Sequence, residues 1–340
     1  MTISKTVAFT RRATNIFFHI LTSCNLSCRH CYINPEQHGH QTLPFATIER
    51  WLKAFQAKAH QANLILLGGE PTLHPDLAAV VKSARALRFH SVTIDTNGYL
   101  FHEILERVSP DEVDFFSFSL DGATRKTNDR IRGEGSYDAC LAGLRRAAKA
   151  GFGTSMIYTV SRANIHELEQ MVPLVRGLGI QRFFIQVLGL RGKPAKQGCN
   201  SPSGDIAPVS QTQWIDAIPA AAGLLAEEGI AVTYPKVFLK PDAPFECAGV
   251  VADNYFIFPN GRIYRCPLCE DFPIHSLMFE NDAIVAAPRL NEADLFTLNI
   301  AEGCVINKLV QPQNLSYDED GNPLYQVACC LLKEDLTPGA

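Results

Sequence analysis

An α/β fold is predicted for this chain of 340 residues: a partial barrel of six β/α units followed by a small cysteine-rich α+β module. Three observations predict it. Short apolar runs alternate with helix-patterned stretches up to about residue 188, three cysteines stand directly behind the first apolar run, and a second group of cysteines lies beyond residue 240.

The first run, at 16–21, is apolar apart from His19 and reads as a buried strand. It leads straight into Cys24, Cys28 and Cys31, so these sit at a strand's C-terminal end. A helical stretch over 47–62 follows, then a strand over 64–67 that ends in Gly68-Gly69-Glu70-Pro71. The alternation continues with a strand at 91–96, a helix at 103–108, a strand at 113–120 and a helix at 137–150. A strand at 154–160, a helix at 165–177 and a strand at 182–188 complete it. Strands separated by helices of this length form a parallel sheet with helical crossovers. Polar residues and glycines at the strand ends place functional groups on one rim.

The barrel is expected to span 1–195. Residues 189–211 are rich in Gly, Pro, Ser, Lys and Asn and read as a linker or rim loop. A helix at 214–228 and a strand at 230–234 bridge, within 196–240, to a last module at 241–340. That module opens with Cys247, a strand at 255–258, the turn Pro259-Asn260-Gly261, and Cys266 and Cys269 after a second β-prone run. Asn-Gly between two such runs predicts a hairpin, with Cys247 folding back toward its far end. Cys304, Cys329 and Cys330 remain as further thiols.

Cys24, Cys28 and Cys31 have C-x3-C-x2-C spacing. Thiolates are the ligands that iron–sulfur centres select. Three of them can hold three irons of a cubane and leave the fourth iron open, whereas a structural metal site closes its shell with four ligands. The motif, followed by Tyr32, resembles the signature of the radical S-adenosylmethionine (radical SAM) superfamily. The resemblance implies a [4Fe-4S] cluster whose open iron chelates SAM and whose reduction yields a 5′-deoxyadenosyl radical. It also assigns Gly68, Gly69 and Glu70, with Pro71 behind them, to the superfamily's GGE motif, which takes the amino group of SAM. A carboxylate is suited to that partner.

Further SAM-binding candidates follow from the same likeness: Asn97 in Asp95-Thr96-Asn97-Gly98, and Ser119 and Asp121 in Ser117-Phe118-Ser119-Leu120-Asp121-Gly122. Both stretches also suit plain turns. The run from Asn128 to Tyr137 is similar to the H-D-x-x-R-G-x-G-S-F sequence of radical SAM enzymes with a cysteine-rich extension, with Asn128 and Tyr137 as departures. Arg132 in it would hold SAM or order the rim. Leu188, at a strand end that contacts adenine in the family, and Arg191, able to reach a carboxylate, complete the rim.

The C-terminal cysteines resemble the opening of a SPASM or twitch extension, in which auxiliary [4Fe-4S] clusters are carried. Thirteen residues separate Cys247 from Gly261 and four separate Gly261 from Cys266. The later cysteine block of a full SPASM domain is missing, so one auxiliary cluster is expected. Its ligands would be Cys247, Cys266 and Cys269, with a fourth from Cys304, Cys329 or Cys330. A zinc knuckle is the alternative for these pairs. Cys140 and Cys199 read as a packing residue and a loop thiol.

With 46% hydrophobic and 19% charged residues, the chain has material for a large core and a smaller module. A net charge of −4 without a basic run excludes a phosphate-neutralising nucleic-acid surface. No apolar stretch reaches membrane-spanning length and no signal peptide is evident. Metal-type cysteine spacing without an export signal predicts the cytoplasm.

Taken together, the expectation is a partial (β/α)6 TIM-like barrel with an auxiliary-cluster domain. Its activity would be reductive SAM cleavage and hydrogen abstraction, reduced by a donor such as flavodoxin or ferredoxin. A peptide or protein side chain is the first substrate reading. The first strand begins too early for a fused peptide-recognition domain, so a leader would need a separate partner or the rim. Tetrapyrroles or other small molecules are the alternative, and a non-catalytic iron–sulfur scaffold is a third reading. Tyr158, His166 and Tyr264 are conceivable proton donors, though a lone Tyr or His is more often structural.

Overall fold

The computed structural model describes residues 14–196, 206–287, 289–328 and 330–338. Cys199 and Cys329 lie outside them. Six strands run parallel in chain order as expected: β1 (Thr14–His19), β2 (Ala62–Leu67), β3 (Ser91–Thr96), β4 (Phe115–Ser119), β5 (Thr154–Val160) and β6 (Arg182–Val187). The parallel run is longer than six units. The strand expected as a bridge, β7 (Ala231–Pro235), pairs in parallel with β6. After a short β8 (Phe238–Leu239) comes β9 (Asp253–Ile257), which pairs in parallel with β1 on the opposite side.

The remaining strands are antiparallel additions. β10 (Arg262–Tyr264), β11 (Leu277–Glu280) and β12 (Ala283–Ala286) extend the sheet beyond β9. β13 (Gln326–Val327) pairs with β8, and β14 (Lys333–Leu336) pairs with β7. The resulting twelve-stranded sheet runs β12-β11-β10-β9-β1-β2-β3-β4-β5-β6-β7-β14 and does not close.

Register across four adjacent strands is pinned by a buried polar ladder. Asn15 on β1 donates to Asn254 on β9 at 2.9 Å and accepts from Asn63 on β2 at 3.0 Å. Asn63 in turn accepts from Ser91 on β3 at 2.7 Å. Each such bond contributes about 1 kcal/mol net, and a one-residue slip would bury these groups unpaired. The ladder also ties the hairpin β9–β10 to the barrel edge, where Phe17 stacks on Phe256 with ring centroids 4.5 Å apart.

Helices fill the outer layer and three are shorter than the sequence pattern suggests. The stretch expected over 47–62 is helical only over Phe45–Lys53. Its apolar face of Ile48, Trp51 and Leu52 is spent there, and Phe55 is buried in the turn that returns the chain to β2. The helix expected from 103 shrinks to Ile104–Arg107, because Leu100, His102 and Glu103 take positive φ. The stretch expected over 165–177 divides into a turn at Ile165–Glu167 and a helix at Met171–Leu178, with Pro173 in the first turn, where no amide donor is needed. The helix Ser136–Lys149 lies close to expectation. Among the described residues no helix is long and apolar enough to cross a membrane.

Candidate functional site

The loop after β1 is built against the turn after β2. Gly69 donates its amide to Leu21 O at 3.1 Å and Glu70 donates to Ser23 O at 3.0 Å. A Cβ on Gly69 would stand 2.3 Å from the Ser23 carbonyl oxygen, and one on Gly68 2.7 Å from the Leu21 side chain. These glycines are therefore demanded by contact with the cysteine loop. Neither takes a positive φ, so close approach and not backbone conformation requires glycine here.

Glu70 is fully buried yet well supplied with donors. Its Oε1 accepts from the Thr72 amide (3.1 Å), the Thr72 hydroxyl (2.6 Å) and the Thr96 hydroxyl (2.8 Å), and its Oε2 from the Asn97 amide (2.7 Å). Burial raises its carboxyl above the ordinary range against the pull of these bonds. Oε2 keeps room for one more donor, which suits a ligand ammonium.

An open cavity of about 280 Å³ lies at the C-terminal ends of the parallel strands. Cys24, Cys28 and Cys31 line it beside Gly68, Gly69, Glu70, Asn97, Ser119, Arg132 and Leu188. Pro71 and Asp121, also expected in the cofactor group, are not among its lining residues. Pro71 is buried in the turn behind Glu70. Asp121 lies beneath the rim, 2.6 Å from Arg132 Nε and 2.8 Å from His30 Nε2, and accepts from the Thr159 amide at 2.7 Å. Burial alone would raise its carboxyl, but Arg132 and then His30 outweigh burial and hold it down at about 2.

This pairing joins the Asn128–Tyr137 segment to the cysteine loop. Arg29 donates its amide to Ile131 O at 2.9 Å, and the Cys28 thiol reaches Arg132 O at 3.7 Å. Asn97 Nδ2 donates to Asn25 at 2.8 Å and approaches the Cys24 sulfur at 3.8 Å. Burial, with Glu70 adding, pushes the Cys24 thiol up to about 11. Metal binding would displace that proton.

The C-terminal thiols also gather. Cys266, Cys269 and Cys304 are buried in one apolar cluster, with Cys247 and Cys330 packed against it. Burial pushes Cys304 up to about 12, with Cys266, Cys247 and Cys330 all close enough to add to the effect. Cys330 additionally lines the cavity. Among the described residues no three His, Cys, Asp or Glu side chains converge tightly enough for a single metal ion. The three thiols beside Glu70 and Asn97 fit a cluster that shares the cavity with an amino-bearing ligand.

Arg191 lines the cavity and reaches a carboxylate of the protein itself. It pairs with the buried Glu270, donates to Pro267 O at 3.0 Å, and lies over the Tyr32 ring at 4.4 Å. Tyr158 and Tyr264 donate to the backbone oxygens of Asn164 and Phe272, each at 2.8 Å, and His166 is exposed away from the cavity. Cys140 is buried, as a packing residue should be.

Several cavity residues are not among the candidates the sequence offers. His19 accepts or donates to Tyr32 OH at 2.7 Å and stacks on Phe258 at 4.2 Å. Asp95, Gln186 and Lys333 also line the wall. Burial and the nearby Glu70 charge push the Asp95 carboxyl up to about 7, with Lys333 opposing. The alternation of β3 could have flagged Asp95, which stands two residues before Asn97 and so on the same face. Nothing local could have flagged Lys333.

Residues 19–175 match the sequence model of the Radical SAM superfamily. The chain is similar to pre-heme d1 synthase of Dinoroseobacter shibae, at 30% identity over 184 residues, covering 53% of this chain and 45% of the relative. It is similar to Fe-coproporphyrin III synthase of Methanosarcina barkeri, at 25% identity over 241 residues, covering 70% of this chain and 59% of the relative. The chain thus spans about half the length of the curated relatives it matches. In fold it is similar to Streptococcus suis SuiB, with a TM-score of 0.64 at 14% identity, covering 88% of this chain and 74% of that one. Cysteine loop, Gly-Gly-Glu turn and sequence match agree on one stretch, and residues 19–175 carry a radical SAM domain.

Proposed function

We propose that this chain is a radical SAM enzyme that abstracts hydrogen from a carboxylate-bearing small molecule of the tetrapyrrole type. The observation that carries the enzyme reading is the convergence of Cys24, Cys28 and Cys31 with Gly69 and Glu70 on one cavity. A [4Fe-4S] cluster with one open iron, when bound, supplies the electron that cleaves SAM to a 5′-deoxyadenosyl radical. The three thiols would hold that cluster. Glu70 Oε2 would take the SAM ammonium, Asn97 and Ser119 would flank it, and Leu188 would pack on the adenine. Arg132, already paired with Asp121, orders the rim that carries Cys28.

Asp95, Gln186 and Lys333, which line the same cavity, are assigned to the substrate. The lysine would receive a carboxylate. The tetrapyrrole reading is supported by sequence similarity to two relatives whose names describe haem-type products. The peptide reading has only likeness of fold behind it. Cys247, Cys266, Cys269 and Cys304 are proposed to hold one auxiliary [4Fe-4S] cluster, and a small electron carrier such as flavodoxin or ferredoxin to deliver electrons.

The test is 5′-deoxyadenosine formation from SAM by anaerobically reconstituted, dithionite-reduced protein beside a Cys24/Cys28/Cys31→Ala variant. Product from the parent alone supports the reading. Equal yields, or none from an iron-replete parent with or without an added carboxylate-bearing tetrapyrrole, would overturn it.

A further inference from the structure

The segment expected as the start of a linker is instead wedged between the two cysteine loops. Toward the first loop, Lys193 donates its amide to Cys31 O at 2.9 Å, and its Nζ donates to Cys28 O at 3.0 Å and to the Ser27 hydroxyl at 2.8 Å. Arg191 covers the ring of Tyr32, the residue after Cys31. Toward the second loop, Arg191 holds Glu270 and Pro267 O, which flank Cys269. The Gly192 amide donates to Asp271 at 2.6 Å, and Asp271 also accepts from Asn34 at 3.2 Å.

Gly192 makes this approach possible. It has φ of +63°, and a Cβ there would stand 2.5 Å from Cys31 O. A side chain would be strained and would push the two loops apart. Arg191 suits its place because a planar guanidinium can stack on Tyr32 while forking onto a carboxylate and a carbonyl, which an ammonium cannot.

We propose that Arg191, Gly192 and Lys193, with Asp271, are positioning residues for both cysteine loops at once, a clasp that makes order and iron occupancy at one set depend on the other. When the second set is filled, the Cys269–Asp271 turn is fixed and holds the clasp against Cys28 and Cys31. When it is empty, that turn loosens and the first loop loses its backing. The coupling is reciprocal, as any linkage between binding equilibria must be. Loss of iron at the second set then weakens the first before any substrate is engaged.

The inference rests on the reading of both sets as iron–sulfur ligands, and two arms keep the failures apart. In metal-free protein, the rate of Cys31 and Cys269 alkylation by iodoacetamide is followed by mass spectrometry. Arg191→Met should accelerate both cysteines together by about tenfold, within the usual range for coupled sites. Arg85→Met, which breaks the Arg85–Asp114 pair elsewhere in the barrel, serves as the control for general destabilisation. Acceleration of one cysteine alone, or equal acceleration in the control, would overturn the clasp.

In iron-loaded protein, Cys266/Cys269→Ala should expose Cys31 by a similar factor, and should add less than about twofold when combined with Arg191→Met. Full additivity of the two changes would overturn the coupling. Asp271→Asn enters the same cycle in place of the double cysteine variant if that variant does not fold. Should neither cysteine set take up iron, the metal reading falls while the metal-free arm still decides whether the clasp exists.

Discussion

Replacing Asp121 by Asn should cost the metal-free protein about 3 kcal/mol of stability at pH 7, a value set by the burial of the ion pair it breaks. Asp121 is fully buried, and the variant leaves Arg132, only 8% exposed, without its counter-charge. An independent estimate comes from the carboxyl itself. It is held from its ordinary 3.8 down to about 2, which at about 1.4 kcal/mol per unit amounts to roughly 2 kcal/mol.

The sign follows from the direction of the shift. A lowered folded value means the contribution is fully present above 3.8 and is lost as pH falls through about 2. Urea unfolding of parent and variant, from pH 7 downward, should show a constant gap to about pH 4 and a closing one below it. The Asp121 carboxyl carbon, followed by NMR, should titrate near 2 and not near 3.8. A gap under about 1 kcal/mol at pH 7, within the range of an exposed pair, would refute the reasoning. So would a gap that stays unchanged at the lowest pH where the parent remains folded. The same variant should speed alkylation of Cys28, because Asp121 anchors the segment whose Ile131 and Arg132 carbonyls face the loop.

Other consequences are checked more briefly. Gly69→Ala should lower iron content and weaken SAM binding at least about tenfold by equilibrium dialysis, since its Cβ meets backbone at 2.3 Å and the loop must move. Glu70→Gln should weaken SAM binding by about 1.5–3 kcal/mol, the usual worth of a hydrogen bond to a charged group, because an amide cannot satisfy four donors and an ammonium together. Lys333→Met should weaken iron coproporphyrin III binding in an optical titration by about tenfold, with Lys333→Arg retaining most of it, if a carboxylate is held there. Equal binding by parent and the Met variant would remove Lys333 from the substrate site.

The strand run was legible because short, largely apolar β-prone segments alternate with helix-patterned ones, and six of the eight parallel strands follow from that pattern alone. β7 and β9 were also visible as strands. Their pairing was not, because β9 joins β1 across more than two hundred residues and its hydrogen-bond partner is chosen by the Asn15–Asn254 contact, not by local preference. Helix ends were misjudged where burial or positive φ stopped a favourable periodicity, as at Lys53 and Leu100.

The sequence by itself determined the chemistry on offer: three thiols at C-x3-C-x2-C spacing, a Gly-Gly-Glu turn after the next strand, and a second thiol group near the end. Spacing within one loop fixes which atoms lie within a few ångströms of each other, so these features needed no tertiary information. Only the tertiary structure decided how that chemistry is surrounded. It placed Asp121 under the rim, spent Arg191 on Glu270, brought Lys333 from the last strand into the cavity, and turned a glycine-rich stretch into a bridge between two loops. Most of these join residues distant in the chain, where the choice of partner is made by sheet order and burial and leaves no trace in local composition.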